Sequence, residues 1–272
     1  MIAKVKFKGI KMKFALNRHS DYSSFYQVFV ENSYPNLLRL LKAGDMVIDA
    51  GANAGVFTVM ASSLVGESGR VIAVEPDPEN LAILKKNIAI NSLKNVEVVG
   101  RALFSESNQA INMISNGTMS HVVAQEKDHK NLLKIFTVNT ITFDDLLLDL
   151  GISPAFLKMD IEGSEKYALR SADHTMKLLK YLECEIHDFD SERELLRYDR
   201  FRFEETGAEN MENVKRYLFR HPFKVINMEI RNSFLTTKRV LFGRSQSGEI
   251  YPKLFFGQKY QITKQINNIG EM

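Results

Sequence analysis

The sequence predicts an α/β fold: a doubly wound, mostly parallel sheet with an N-terminal hairpin and helical extension. Three observations predict it. From residue 46 onward, short apolar runs alternate with stretches of helical periodicity, the rhythm of parallel strands joined by crossover helices. The first of those runs ends in "VIDAGANAG" (47–55), where an acid leads into a glycine-rich turn. The composition, 44% hydrophobic and 25% charged, is that of an ordinary globular chain, and 272 residues suffice for one large domain with additions at its ends.

Taken in order, the elements justify that reading. In "AKVKFKGIKMKFAL" (3–16), Val5, Phe7, Ile10, Met12 and Phe14 alternate with lysines around Gly9, which predicts a hairpin with one apolar and one lysine-rich face. The lysine face suits nucleic acid or anionic lipid; a solvated face that protects a sheet edge is the simpler reading. Residues 21–42 carry two short helical periodicities broken near Pro35 and stopped by Gly44. "MVIDAG" is the first strand of the main sheet and "VFTVMASSLV" a helix. "RVIAVEP" is the second strand, followed by a helix with Asp77 at its N-cap, Pro78 at its first position and Leu81, Leu84 and Ile88 on one face. "NVEVVGRAL" reads as a third strand and 105–138 as a less regular stretch. "TFDDLLLDLG" is a short helix, "AFLKMDIEG" a fourth strand running into a helix near Ser164, and "YLECEIHDF" a fifth. Residues 191–220 read as a charged helical stretch, and "FKVINMEI", "KRVLFG" and "LFFGQKYQI" as strands. The expected organisation is an extension over 1–44, a main domain over 45–262 and a tail over 263–272.

Bulk properties exclude several classes. A net charge of +3 is not that of a dedicated nucleic-acid binder. The one cysteine, Cys184, leaves no disulfide framework and no cysteine metal cluster. No apolar stretch reads as a signal peptide or a membrane span, so the expected address is the cytoplasm.

Ligands of open α/β sheets bind at the carboxyl ends of the strands. Asp49, Gly51, Asn53 and Gly55 lie there. The dinucleotide fingerprint G-x-G-x-x-G, aligned on Gly51, meets Asn53 and Val56 where glycines belong, and Asp49 would repel a diphosphate. Glu75 closes the second strand, where a carboxylate accepts hydrogen bonds from ribose hydroxyls. An adenosine without phosphate and with a cationic amino-acid arm is S-adenosylmethionine. The competing reading is a tight strand-to-helix turn, with Glu75 and Asp77 serving a helix N-terminus.

"VIDAGANAG", "VIAVEPDPENLAILKKNIAIN", "VNTITFDDLL", "FLKMDIEGSEKYAL" and "LECEIHD" occur in that order. On these segments the chain resembles the FkbM-type family of class I, Rossmann-like, S-adenosylmethionine-dependent methyltransferases, from about residue 30 to 190. The resemblance implies a seven-stranded sheet with a reversed C-terminal hairpin. It implies methyl transfer to a hydroxyl of a small molecule, sugar or lipid-linked glycan. It implies cofactor contacts from the glycine loop, Glu75, Pro76, Asp77, Arg101, Ala102 and Asp160, with Asp160, Glu162 and Gly163 facing the acceptor.

Methyl transfer needs alignment, exclusion of water and a place for the hydroxyl proton. Asp160 and Glu162 follow the fourth strand; Glu185 and His187, two apart on the fifth, point to one side. A histidine near its ordinary pKa suits a general base. The same four residues have the donor types for a divalent ion, which the spacing does not demand, so no metal is assigned. Ser120 and His121, in "ISNGTMSHVV" (114–123), are candidate ligand contacts on a covering loop. The rival readings are an RNA methyltransferase, supported by the hairpin and "RELLRYDRFRF", and a silent S-adenosylmethionine-binding module. "MDIEGS" stands where base-amine methylation needs an Asn/Asp-Pro-Pro-aromatic segment, and Cys184 sits within a strand, which leaves nucleic acid the less favoured acceptor. A homodimer is the expected assembly.

Overall fold

The structure is a computed structural model that describes residues 1–29, 34–115, 120–122, 134–187 and 194, and the strand backbones at 202–205, 217–220, 225–230, 238–244 and 250–253. The chain opens with β1 (Ile2–Phe7) and β2 (Ile10–Ala15), an antiparallel pair turned by Lys8 and Gly9, both at positive φ, as a two-residue hairpin requires. Two helices follow, α1 (His19–Phe29) and α2 (Pro35–Leu40). Then come β3 (Met46–Ala50), α3 (Val56–Val65), β4 (Arg70–Val74), α4 (Pro78–Ile90) and β5 (Val96–Val99).

The expected third strand divides at Gly100. Val96–Val99 pair with β4, whereas β6 (Ala102–Leu103) leaves for a second sheet. That sheet also takes β7 (Ala110–Ser115), β8 (Ser120–Val122) and β9 (Lys134–Ile141), in the order β6-β9-β7-β8. The stretch 105–138 is therefore more regular than its composition suggests: "AINMIS" and "KIFTVNTI" mix polar and apolar residues on both faces, which hides the two-residue period.

The chain continues through α5 (Phe143–Leu150), β10 (Phe156–Met159), α6 (Glu165–Leu169), α7 (Asp173–Leu178) and β11 (Tyr181–Ile186). Beyond it lie β12 (Arg202–Glu205), β13 (Tyr217–Arg220), β14 (Val225–Ile230), β15 (Lys238–Arg244) and β16 (Ile250–Lys253). Within 191–220, β12 and β13 form an antiparallel pair where a helix was expected. "LFFGQKYQI" and the tail over 263–272 lie outside the described residues.

The central sheet runs β16-β15-β14-β11-β10-β3-β4-β5, parallel from β14 to β5 and reversed at β15. It has eight strands among the described residues, one more than the resemblance implies, because β16 pairs with the outer edge of β15. β3, β4 and β10 are buried on both faces, so their residues are mostly apolar along the whole strand rather than alternating. Ile48, Ile72 and Leu157 face α5, α6 and α7, with Phe143, Leu146 and Leu169 against them. Val47, Val71 and Phe156 face the opposite way, onto α3 and the apolar side of the hairpin. There Phe14 meets Phe25 and Phe29 of α1 edge-on, at centroid distances of 5.5 and 5.4 Å.

Asn87 of α4 and Asn91 at its C-cap secure the hairpin. The Lys13 amide donates to Asn91 Oδ1 (2.8 Å) and Asn91 Nδ2 returns a bond to the Lys13 carbonyl (2.6 Å). One turn earlier the Ala15 amide donates to Asn87 Oδ1 (2.6 Å), while Asn87 Nδ2 donates to the Ala54 carbonyl in the glycine turn (2.7 Å). Asn87 thus joins hairpin, helix and turn. Asn87→Ala leaves the buried Ala15 amide and Ala54 carbonyl without this partner, at a cost of about 2 kcal/mol. Thermal denaturation is expected to show a melting temperature lowered by roughly 4–8 °C.

Candidate functional site

The centre of the site is an ion pair inside the sheet. Asp49 on β3 and Lys158 on β10 are register partners, and their side chains approach to 3.3 Å with exposures of 0% and 4%. Lys158 Nζ also donates to the Gly51 carbonyl (2.7 Å), and Asp49 Oδ2 accepts from the Thr58 hydroxyl of α3. Burial pulls the Lys158 pKa down, but Asp49 and Asp160 outweigh it and hold the ammonium above its ordinary value. This corrects the sequence reading of Asp49. Its carboxylate does not line the cavity beside it and balances Lys158, not a cationic ligand arm.

The glycine turn follows from that anchor. Gly51 has φ +77°, and a Cβ built there would lie 1.8 Å from the Asp160 carbonyl oxygen, so no larger residue fits. The amides of Gly51 and Ala52 both reach the Val74 carbonyl (3.0 Å). Asn53 takes φ +49° and its amide donates to Glu75 Oε2 (2.8 Å). Gly55 serves packing instead: its absent Cβ makes room for Leu84 of α4, and it does not line the cavity.

The cavity, of about 320 Å³, opens at the carboxyl ends of β3, β4 and β10. Glu75, Pro76 and Asn80 bound one end, Gly51 and Asn53 the middle, and Lys158, Asp160 and Glu162 the other. Glu75 is 4% exposed; its Oε1 accepts from the Asp77 amide (2.9 Å) and Asn80 Nδ2 (3.2 Å). Burial raises its pKa to about 7, against the downward pull of the Asp77 and Asn53 amides. Ala102, Leu103 and Met113 form an apolar wall. Two expected cofactor contacts fall elsewhere. Asp77 caps α4, accepting from the amides of Glu79 and Asn80, and Arg101 lies away from the cavity lining, 3.9 Å from Asp149.

The loop from β10 to α6 holds the acids. Glu162 and Gly163 both adopt positive φ, +52° and +88°, and Glu165 Oε1 accepts from the amides of Ile161 and Gly163 (3.2 Å each). The same oxygen meets His187 Nδ1 at 2.9 Å. His187 Nε2 lies 3.3 Å from Glu162, 3.5 Å from Glu185 and 3.8 Å from Asp160. The structure therefore brings together Asp160, Glu162, Glu185 and His187. Asp160 and Glu162 line the cavity; Glu185 and His187 stand behind them. The chemistry expected of His187 is corrected. Burial pulls its pKa down, but hydrogen bonds to Glu162, Glu165 and Glu185 raise it above the ordinary value, away from the near-neutral titration expected of a general base. Among the described residues, Asp160, Glu185 and His187 offer donor atoms within 4.8 Å of one another, the set that can ligate a divalent ion.

The remaining wall comes from the N-terminal extension. Ser20, Ser23, Ser24 and Gln27 of α1 line the cavity, and Arg18 ties the start of that helix to Asn80 (2.8 Å). The buried Tyr34 hydroxyl donates to Asp160 Oδ2 (2.9 Å), and its ring meets Phe57 edge-on. Burial, then Asp160, holds the Tyr34 pKa well above its usual value, so it remains a donor. Sequence reasoning missed these residues, as it missed Lys158 and Glu165. Only Lys158 left a signal, a charge inside the apolar run "FLKM". Ser120 and His121 have described backbones, paired with Ser115 and Ile114; their side chains lie outside the described residues.

A glycine turn at one strand end, an acid at the next and a cavity between them define the α/β proteins that take up a nucleoside at the carboxyl edge of the sheet. The chain belongs to the methyltransferase FkbM domain family, whose sequence model matches residues 49–225. It is similar to a probable cobalt-precorrin-6B C(15)-methyltransferase (decarboxylating) of Sulfolobus acidocaldarius, 36% identical over 114 residues that cover 40% of this chain and 57% of that one. It is also similar to a putative ribosomal RNA methyltransferase of Schizosaccharomyces pombe, 29% identical over 42% of this chain and 39% of that protein. The chain thus spans between two fifths and three fifths of the lengths of these curated relatives. A solved structure, the methyltransferase FkbM from Methylobacillus flagellatus KT, covers 51% of this chain and 32% of its own at 23% identity, with a TM-score of 0.35.

Removing one member of the buried pair strands the other. Lys158→Met is expected to destabilise the fold by about 3–5 kcal/mol, and Asp49→Leu combined with Lys158→Met by clearly less. Urea denaturation of the single and double variants checks this.

Proposed function

We propose that this chain is an S-adenosylmethionine-dependent methyltransferase that methylates a hydroxyl oxygen of a small molecule, sugar or lipid-linked acceptor. The observation that carries the reading is the cavity, with the buried acid Glu75 at one end, a turn with no side chain at Gly51 in the middle and carboxylates at the other end. The residues suit the cofactor that the family implies. Glu75 keeps an acceptor site on Oε2 for a ribose hydroxyl, Gly51 admits close backbone approach, and Ala102, Leu103 and Met113 offer an apolar surface to a base. The bound cofactor would supply a methyl group already activated on a sulfonium. The chain's own residues supply position and proton handling. Asp160, fixed by Tyr34, is the carboxylate that takes the acceptor's proton, and His187 holds the surrounding negative charges together.

The sign of the cavity supports a neutral acceptor over a phosphate backbone. Among the described residues Glu75, Asp160 and Glu162 line it, and the one lining cation, Lys158, pairs with Asp49. A metal-assisted form of the same reaction is the second reading, favoured by the Asp160, Glu185 and His187 donor set.

Calorimetric titration with S-adenosylhomocysteine, against NADH and with and without Mg²⁺, is the first test. Binding of the adenosyl ligand alone supports the reading; binding of NADH, or of neither, overturns it. Glu75→Ala is expected to weaken that binding by an order of magnitude or more, and Asp160→Ala by less than about three-fold, because Glu75 is assigned to the ribose and Asp160 chiefly to the acceptor's proton. Equal losses contradict the assignment.

The raised pKa of Glu75 gives a signed pH dependence. Ribose hydroxyls donate to the ionised carboxylate, so affinity should rise roughly ten-fold between pH 6 and 8, as the group ionises through about 7. The ligand-free fold changes in the opposite sense. Stability from the protonated acid is complete below the unfolded value of 4.5 and is lost as pH rises through about 7. Glu75→Gln should flatten both profiles.

A further inference from the structure

The hairpin carries a feature that the cavity does not use. Its outer face presents Ile2, Lys4 and Lys6 from β1 and Lys11 and Lys13 from β2, all exposed. The register sets like charges opposite each other twice, Lys4 with Lys13 and Lys6 with Lys11. Same-face neighbours along a strand lie about 7 Å apart, and directly opposed residues about 5 Å, so four ammonium groups form a compact rectangle. Among the described residues no carboxylate forms an ion pair with any of them. The first acid of the sequence, Asp21, is buried against Arg18. The adjoining helix adds to the field: α4, bound to β2 through Asn87 and Asn91, exposes Lys85 and Lys86.

Opposed like charges destabilise a two-stranded ribbon. Protection of a sheet edge calls for charged side chains on the strand and does not by itself require like charges directly opposite each other. We propose that this face is a docking surface for an anionic lipid bilayer. Two observations favour a bilayer over nucleic acid. The outer face bears an aliphatic residue, Ile2, 51% exposed, which suits the headgroup boundary. It also carries no aromatic side chain and no arginine, the groups on which bases of single strands stack. The surface lies outside the family-matched segment and acts whatever the cavity transfers.

The test is co-sedimentation of the full chain with phosphatidylcholine vesicles containing none or about 30 mol% phosphatidylserine, a composition that sets the surface potential, at ~0.1 M salt, where the field still reaches several ångströms. The expected result is binding to the anionic vesicles only, weakened roughly five-fold for each lysine removed. Lys4→Gln, Lys6→Gln, Lys11→Gln and Lys13→Gln together should abolish it without lowering the melting temperature, because the substitutions remove repulsion. Ile2→Asn should weaken the binding that the lysines leave intact. Absence of binding, or equal binding by wild type and the four-fold variant, overturns the proposal. Lysine-dependent binding to a single-stranded RNA oligonucleotide with none to vesicles also overturns it. S-adenosylhomocysteine titration of the four-fold variant is expected to be unchanged, which separates this surface from the reading of the cavity.

Discussion

The buried pair of Asp49 and Lys158 is the constraint from which the rest of the site follows. Two charges inside a sheet are costly to desolvate, and their attraction offsets that cost only where other hydrogen bonds satisfy them. Here Thr58 serves the carboxylate and the Gly51 carbonyl serves the ammonium. The lysine therefore fixes the first carbonyl of the glycine turn against β10. Once that carbonyl is fixed, the Asp160 backbone leaves no room for a Cβ at residue 51, and the turn delivers the Asn53 amide to Glu75. The ends of three strands are aligned by one ion pair and the short bonds it organises.

A second layer of charge sits beyond that pair. Glu165 turns inward at the start of α6 and gathers two loop amides and His187 on one oxygen. His187 in turn faces Glu162, Glu185 and Asp160. Four carboxyl groups thus converge on one imidazole at the end of the cavity. Tyr34 closes the arrangement from the N-terminal extension, which ties residues outside the family-matched segment to the loop after β10.

Much of this was legible in the sequence. The alternation of apolar runs and helical periods located β3, α3, β4, α4, β10 and β11, and the Asp77-Pro78 pair marked the start of α4. Glu75 at a strand end and Asp160 after another were found by position along their strands. What escaped depends on pairing across the fold. Asp49 looked like a ligand group because its partner is far away in sequence, inside a strand where a lysine is normally exposed. His187 looked like a base because most of the carboxylates around it come from a distant segment, the loop after β10 and the start of α6. The second sheet escaped because its polar residues mask the strand period, and Gly100 read as part of a strand when it separates two. The cavity wall from α1 escaped because serines on a short helix have no sequence signature of their own.

The net charge of +3 conceals a separation of sign. Lysines concentrate on the hairpin's outer face, while the cavity is lined by three carboxylates and a lysine already paired. In a bulk average the two cancel, which is why composition alone gave no hint of either. Locally they do different work. Carboxylates lining a cavity act at short range on whatever enters it, whereas a cluster of like charges on an exposed ribbon sets a field of longer range. The hairpin packs through Asn87 and Asn91 onto the helix that borders the cavity, so the two fields are held on one rigid frame and act on one encounter.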